Sequence, residues 1–489
     1  MQSRKDQVQA HMFVMGRLTS GMLRSDPDSP ESPVGRTNRG MAWGIGLGVL
    51  LVVGFLLYGM ISPAGSKAWR QQSALVVQKD TGTRYLYLDG KLRPVRNYAS
   101  AKLIAADKLK PVSVSGPSLA GEPHGTPVGI PGAPDSLPAL GDLETGAWQV
   151  CAEEPDRTGP DGTGRRPVTS LRLGFPAEGV LPGDDRAVLV QGPDGTRHLL
   201  WNDHRLRLGK HGAAQALGYS AKTPVRVSAA FLDGVPAGPD LTAPEVEGRG
   251  TAGPRIGGRP SRTGQVYEFA SPGAAAQHFL LEKAGLRALS APGAALVLGD
   301  DRTAKQAYRG SVPAAIRLTA DQLTQHQAPS TKDPAHWPSR TPVVRDPGPG
   351  TSVCAQVQPD GAAPRVRLAL LPAGERASAP ASGPEINRAC LAVDGLAVRP
   401  GGGALVQALG AGGSVIGTTT YLVTDVGVKY RLPDAKSVER LGLKGGHAQA
   451  VPSRLLDMLP TGPVLDVASA SGEGAAPRQA AGPGQGSCG

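Results

Sequence analysis

The sequence predicts an α+β protein, with a single-pass membrane anchor followed by four small repeat modules around a central β-domain. Three observations carry that class. One uninterrupted apolar run, Met41–Ile61, is long enough to cross a bilayer. After it, an order of strand, tight turn, strand, helix and strand recurs four times. Two strands containing Val-Cys-Ala, at Val150-Cys151-Ala152 and Val353-Cys354-Ala355, lie in the intervals between those recurrences.

Residues 1–40 form the first segment. Asp6 to Arg24 has helical periodicity, with Val8, Met12, Met15 and Met22 near one face and Phe13, Val14 and Leu18 adding to it, and the pattern stops before Pro27. An exposed Met-rich face suits adaptive contact with a partner helix or domain; the alternative is an interfacial helix lying on the bilayer.

The anchor, residues 41–61, would span about 31 Å as a helix, against a hydrocarbon core of about 30 Å. A buried core helix of that length without a charge is uncommon. Ala64, Gly65 and Ser66 resemble a signal-peptide cleavage site, but the apolar region of a signal peptide is about 7–15 residues and lies close to the N-terminus. The expected reading is an uncleaved anchor. Basic residues flank both sides, so the positive-inside rule barely decides, although long domains translocate regardless of charge. Cys151, Cys354, Cys390 and Cys488 all follow the anchor, as expected if that side is the oxidising one. The expected placement is a short cytoplasmic N-terminus and a large extracytoplasmic C-terminal portion in the cell membrane. Gly40, Gly44 and Gly48 repeat along one helix face, either as a close-packing stripe for another helix or as the ordinary glycine content of membrane helices.

Beyond the anchor, module 1 covers 71–135. Runs at Ala74–Gln78 and Arg84–Leu88 flank Asp80-Thr81-Gly82, a second turn follows at Asp89-Gly90, a helix lies near Tyr98–Ile104, and Pro111–Ser115 closes the unit. Module 2 covers 185–243 with its turn at Pro193-Asp194-Gly195 and a helix around Ala213–Leu217. Module 3 covers 262–327 with its turn at Ser271-Pro272-Gly273, and module 4 covers 414–467 with its turn at Asp425-Val426-Gly427. The central β-domain is assembled from 145–180 and 350–410. Residues 468–489 read as a disordered tail. A Cys151–Cys354 disulfide would staple the two central pieces, worth roughly 5 kcal/mol at most in the chain-entropy model. Two buried free thiols are the alternative. Cys390 and Cys488 are candidates for a second bridge.

The 67 Gly and 45 Pro, with 4% aromatic residues, suggest small β-rich or α+β modules on Pro/Gly-rich links. A formal net charge of +11 comes from scattered Lys and Arg, without a basic run or a stacking platform. It reads as a solvated basic surface beside an anionic membrane or wall, not as a nucleic-acid site.

These residues resemble a known family. The segments "MQSRKDQVQAHMFVMGRLTSGMLRSDPDSPESPVGRTNRG", "TGTRYLYLDGKLRPVRNYASAKLI" and "YLVTDVGVKYRLP", together with the anchor, are similar to EccB, a membrane core component of the actinobacterial type VII secretion system. The match spans almost the whole chain and is weaker between about 240 and 350, around "EVEGRGTAGPRIGGRP" and "DPGPGT". The resemblance implies a cytoplasmic N-terminus, one membrane helix and four repeats around a disulfide-bearing β-domain. It implies assembly with the ATPase EccC, with EccD, EccE and a mycosin protease, and with further copies of itself. "DQVQAHMFVMGRL" would then touch EccC or its neighbours.

Catalytic signatures are sparse. A phosphate-binding loop needs a Gly-rich turn followed by Lys and Ser/Thr; Gly209-Lys210 lacks the hydroxyl residue and Gly35 to Gly40 lacks the lysine. His198, His204 and His211 are close in sequence, but they are expected on a strand, a turn and a helix approach, and no metal or cofactor is expected. The expected function is that of a structural subunit anchoring and oligomerising a secretion channel and coupling it to a cytoplasmic ATPase. The alternatives are a membrane-anchored nucleotide hydrolase and a wall-binding repeat protein.

Overall fold

A computed structural model describes residues 4–24, 33–61, 69–153, 166–176, 179, 185–210, 212–329, 336–359, 364–373, 377–410 and 413–472. The chain divides into two compact units: residues 1–92 with 110–125, and residues 93–109 with 126–489.

In the first unit, helix α1 (Arg4–Arg24) is followed by helix α2 (Pro33–Ile61). The second helix begins eight residues before the expected anchor, because nothing between Pro33 and Gly40 stops a helix and proline at the first helical position gives up only an N–H that would be unpaired anyway. Strand β1 (Ala74–Gln78) pairs antiparallel with β2 (Arg84–Leu88) across the Asp80-Thr81-Gly82 turn. Gly82 sits at φ +70°, a conformation costly for any residue with a Cβ. β3 (Lys91–Pro94) flanks β2 and leads out of the unit, and β4 (Lys110–Val114) returns parallel to β1. Trp69, Ala74, Val76, Leu92, Val114 and Leu119 form the core. Trp69 meets Tyr87 edge-on at 5.5 Å between centroids, a favourable quadrupole geometry.

The second unit opens with helix α3 (Tyr98–Ala105), whose cap residue Asn97 accepts from the Ser100 amide while its own amide donates to the Ile130 carbonyl at 2.7 Å. Then come β5 (Trp148–Glu153) and β6 (Val168–Leu173), an antiparallel pair. A small sheet follows: β7 (Arg186–Gln191), β8 (Arg197–Trp201) and β9 (His204–Arg207) meander antiparallel, α4 (Ala213–Ala216) intervenes, and β10 (Val225–Arg226) returns parallel to β7 ahead of α5 (Ala229–Asp233). The next sheet repeats that order with β11 (Val266–Phe269), β12 (Gln277–Glu282) and β13 (Gly285–Leu289). Helices α6 (Ala291–Leu298) and α7 (Asp301–Gln306) precede its parallel return strand β14 (Ile316–Arg317), and α8 (Ala320–His326) ends the segment.

The two-residue strand β15 (Val343–Val344) then joins β7. β16 (Thr351–Gln358), β17 (Arg365–Pro372) and β18 (Gly395–Val398) complete a five-stranded sheet in the order β17-β16-β5-β6-β18. That sheet is assembled from distant chain segments, with the two Val-Cys-Ala strands side by side. A last sheet contains β19 (Gly403–Leu409), β20 (Val415–Thr424), β21 (Lys429–Leu432) and, after helix α9 (Ala435–Arg440), the parallel return strand β22 (Gln449–Pro452). Helices α10 (Ser453–Leu456) and α11 (Val467–Ser471) close the described chain.

Two expected boundaries change. Residues 403–409, assigned by sequence to the central β-domain at 350–410, are instead the first strand of the last sheet, so module 4 cannot start at 414. Asp425-Val426-Gly427 therefore turns between the second and third strands, not between the first and second. The reason is local: the true first hairpin closes through Gly410 and Ser414, whose glycine-rich surroundings read as a linker, and β19 is almost continuously buried like a central strand. The assignment also shows in the packing, since a Cβ on Gly403 would lie 2.5 Å from the Val423 carbonyl oxygen. The expected tail at 468–489 likewise starts too early. Residues 467–471 are helical, capped by Asp466 accepting from the Ser469 amide, and Ala470 is fully buried beside Leu465 and Leu103. Residues 473–489 lie outside the described part.

One continuous core links the five-stranded sheet to the β7–β10 and β19–β22 sheets. It includes Trp148, Val150, Val188, Val190, Phe231, Val353, Val406, Val423 and Met458. Within it Trp148 donates its indole N–H to the Gln449 side chain at 3.3 Å, so both buried polar groups are satisfied.

Candidate membrane anchor and assembly surfaces

Helix α2 contains a 22-residue apolar stretch, Thr37–Tyr58, none of it buried within the chain. Trp43, Leu50, Phe55 and Tyr58 are between 69% and 77% exposed. A soluble fold cannot leave so large an apolar cylinder in water, so length and exposure together identify the helix as a candidate bilayer span. A Cβ added to Gly40, Gly44 or Gly48 would meet no atom within 4 Å, so this stripe is open to a neighbouring backbone.

Helix α1 has the same kind of exposure with different chemistry. At about 100° per residue, Val8, Met12, Met15 and Met22 fall within an arc of about 80°, with Leu18 about 40° beyond it. Those four side chains are 53% to 84% exposed. The helix has too little apolar length to span a membrane, but its methionine stripe offers a deformable surface.

The cysteines of the five-stranded sheet sit opposite each other in register, with Cα atoms 4.0 Å apart, and form a disulfide across 203 residues of sequence. Both are fully buried and packed against Ala369 and Leu371. Cys390 is also disulfide-bonded; Cys488, its sequence-level candidate partner, lies outside the described residues.

The sequence-level metal candidates do not converge. His198 pairs across the strands with Arg207, and His204 pairs with Trp201. His204 and Arg207 are three positions apart, an odd offset, so strand alternation puts the two histidines on opposite faces. His204 stacks on His336 at 4.6 Å, and His211 lies outside the described residues. No group of three or more His, Cys, Asp or Glu side chains with metal-binding geometry occurs among the described residues. Gly209-Lys210 occupies the loop between β9 and α4, and that helix is a single turn.

Two side-chain networks escaped the sequence reading. In one, His198 shares a face with Arg205 and Arg207, which a period-two count along β8 and β9 could have found. In the other, the buried Asp300 carboxylate lies 2.9 Å from Arg302 and 3.5 Å from Arg249, while Arg302 also reaches Glu245 at 2.8 Å. Asp300 caps α7 by accepting from the Arg302 amide at 2.8 Å. Burial pushes its carboxyl upward, but the hydrogen bonds and charge of Arg302, with Arg249 added, outweigh burial and hold it below the usual carboxylate value.

Comparison with known proteins gives a consistent set of likenesses. Residues 1–476 match the family described as type VII secretion system ESX-1, transport TM domain B. The ESX-3 secretion system ATPase EccB3 of Mycobacterium tuberculosis is 27% identical, over 95% of this chain and 88% of the relative. The protein of the same name from Mycolicibacterium smegmatis is 28% identical, over 94% and 89%. A chain of the intact ESX-5 inner membrane complex matches with a TM-score of 0.61 at 22% identity, covering 99% of this chain and 98% of that one. A chain of the EccB3 dimer from the ESX-3 core complex also scores 0.61, at 24% identity, covering 81% and 99%.

Proposed function

Because the chain belongs to the EccB family of type VII secretion systems, we propose that it is a structural subunit of the secretion membrane complex, holding an extracytoplasmic assembly to the bilayer and to a cytoplasmic motor. The observation that carries this reading is the division of apolar surface. Both N-terminal helices expose theirs almost completely, whereas the rest of the described residues close around apolar cores, with the Cys151–Cys354 bridge buried in the central sheet. Exposed faces of that kind are completed by lipid and by other subunits.

Helix α2 spans the membrane, with its N-terminal side in the cytoplasm and the cysteine-bearing units outside. Gly40, Gly44 and Gly48 pack against another membrane helix. Val8, Met12, Met15 and Met22 contact the cytoplasmic ATPase subunit EccC or its neighbours, and EccD, EccE, the mycosin protease and other copies of the chain complete the assembly. Support for the assembled state comes from the relatives, which occur as a dimer and within an inner membrane complex. We also read the four small sheets as copies of one unit. The support is their common strand order, in which an antiparallel three-strand meander receives a parallel return strand beside its first strand.

The curated relatives carry ATPase in their names, which makes nucleotide hydrolysis the second reading. The chain has no Gly-x-x-x-x-Gly-Lys-Ser/Thr sequence, and Lys210 is followed by histidine. We therefore place the hydrolysis in the partner motor.

Deleting Asp6–Arg24 is expected to strip the ATPase subunit from affinity-purified membrane complexes while this chain stays in the membrane fraction and stays multimeric. Unchanged co-purification of the motor would refute the role of α1. A purified chain that hydrolyses ATP, and loses that activity on a single substitution, would favour the hydrolase instead.

A further inference from the structure

In the β7–β10 sheet, His198 is 6% exposed and its Nδ1 has no hydrogen-bond partner. A buried ring nitrogen left this way costs roughly 1–3 kcal/mol, so it calls for an explanation. His198 faces a cavity of about 330 Å³ between the sheet and helix α5. Arg205 and Arg207 line the same cavity, as cross-strand neighbours on one face of β8 and β9.

The donors there are only partly used. Arg205 gives its Nε to the Val235 carbonyl at 3.0 Å, and its two terminal nitrogens have no partner among the described residues. Arg207 gives Nε and Nη2 to Asp240, leaving Nη1. The nearby carboxylates are differently placed. Both oxygens of Asp194 are committed to the Thr196 amide and hydroxyl, and Asp240 is committed to Arg207. Asp233 on α5 lines the cavity and has no side-chain partner among the described residues. The cavity thus joins an uncommitted donor set on the sheet to one uncommitted acceptor on the helix.

We propose that this cavity binds a compact oxyanion, a phosphate, sulfate or carboxylate group, through His198, Arg205 and Arg207, with Asp233 receiving a hydroxyl or amine carried beside it. An oxyanion accepts from the His198 imidazole and from the unused nitrogens of Arg205, and its charge offsets the one guanidinium there that has no carboxylate partner among the described residues, Arg207 being paired with Asp240. Binding is linked to protonation. Burial first, and then Arg205, hold the imidazole below its ordinary value; Asp194 opposes them by more than Arg207 adds, and Asp240 opposes them least. An anion against the ring reverses that balance, so the site takes up a proton as it fills and binds more tightly as pH falls.

The test is calorimetric titration of the full chain in detergent micelles with sulfate, acetate and glycerol 3-phosphate, at about pH 6.5 in two buffers of different ionisation enthalpy. Sulfate does not itself titrate there, so any proton uptake belongs to the protein. The expected result is sulfate or acetate binding with net proton uptake. Uptake disappears in His198→Gln, affinity falls at least about tenfold in Arg205→Gln, and both variants keep the parent melting temperature within a few degrees. Preference for sulfate assigns a phosphate-type ligand, and preference for acetate a carboxylate. Tighter glycerol 3-phosphate binding that Asp233→Asn alone removes assigns the neighbouring hydroxyl. Absence of binding heat for all three anions, or binding that Arg205→Gln leaves unchanged, would overturn the proposal.

Discussion

Replacing Cys151 and Cys354 together by alanine is expected to lower the unfolding free energy of the second unit by about 2–5 kcal/mol, read as a fall in urea midpoint by tryptophan fluorescence. The bridge closes 203 residues of sequence, and everything from β6 to β15 lies inside that loop. In the unfolded chain an uncrosslinked segment of this length explores far more conformations, and the chain-entropy account puts the difference near the upper end of the range. Folding already aligns β5 and β16 in antiparallel register, so the variants keep the pairing of Val150 with Ala355 and of Gln149 with Gln356 and lose mainly the constraint on the unfolded state. Alanine is the informative choice because the site is dry and apolar, lined by Ala369 and Leu371, where a serine hydroxyl would add its own burial cost. Trp148 at the start of β5 is fully buried, so its emission should report the transition directly. A change below about 1 kcal/mol would mean that the strand pairing, and not the crosslink, closes the loop.

Legibility along the sequence followed the strength of the local signal. Asp80-Thr81-Gly82 and Pro193-Asp194-Gly195 were readable because a glycine at positive φ is a chemical necessity at those corners, Gly82 at +70° and Gly195 at +77°. Helix α3, expected near Tyr98–Ile104, runs one residue further, to Ala105, and the structure adds the Asn97 cap that fixes its start. The apolar run of α2 needs no context at all. Strand β19 was lost because its hairpin loop, around Gly410 and Gly413, has the composition of a linker, and because a strand buried on both faces loses its alternation. Strand β15 was invisible for a different reason: two residues carry no periodicity, and Val343–Val344 is a strand only because β7 offers it an edge. Helix α11 was hidden in an Ala/Ser-rich stretch whose one burying contact, Ala470, depends on α3 more than three hundred residues earlier. The candidate surfaces on α1 and α2 were visible in sequence because they rest on period and composition. The convergence of Arg249, Asp300 and Arg302 rests on folding alone.

That convergence sets the second large expected effect. Asp300→Ala should destabilise the second unit by about 3–5 kcal/mol, the usual cost of removing one member of a buried ion pair and leaving its partner charged. The Asp300 side chain is 1% exposed and that of Arg249 is 5% exposed, so Arg249 would be stranded without its counter-charge, while Arg302, at 40%, can turn to water and to Glu245. The N-cap of α7 would be lost in the same step. Asp300→Asn separates the contributions, because the amide can still cap the helix through its oxygen but cannot neutralise Arg249. The pH dependence follows from the depressed carboxyl. Its contribution is fully present above the unfolded-chain value of about 3.9 and is withdrawn as pH falls through the lower folded value. The parent protein should therefore lose stability on acidification below about pH 5 more steeply than Asp300→Asn, with the two curves approaching each other at the acid end. Parallel curves over that window would mean that the carboxylate is not ionised by its arginine partners. A full loss in Asp300→Ala with none in Asp300→Asn would assign the stability to helix capping instead of charge.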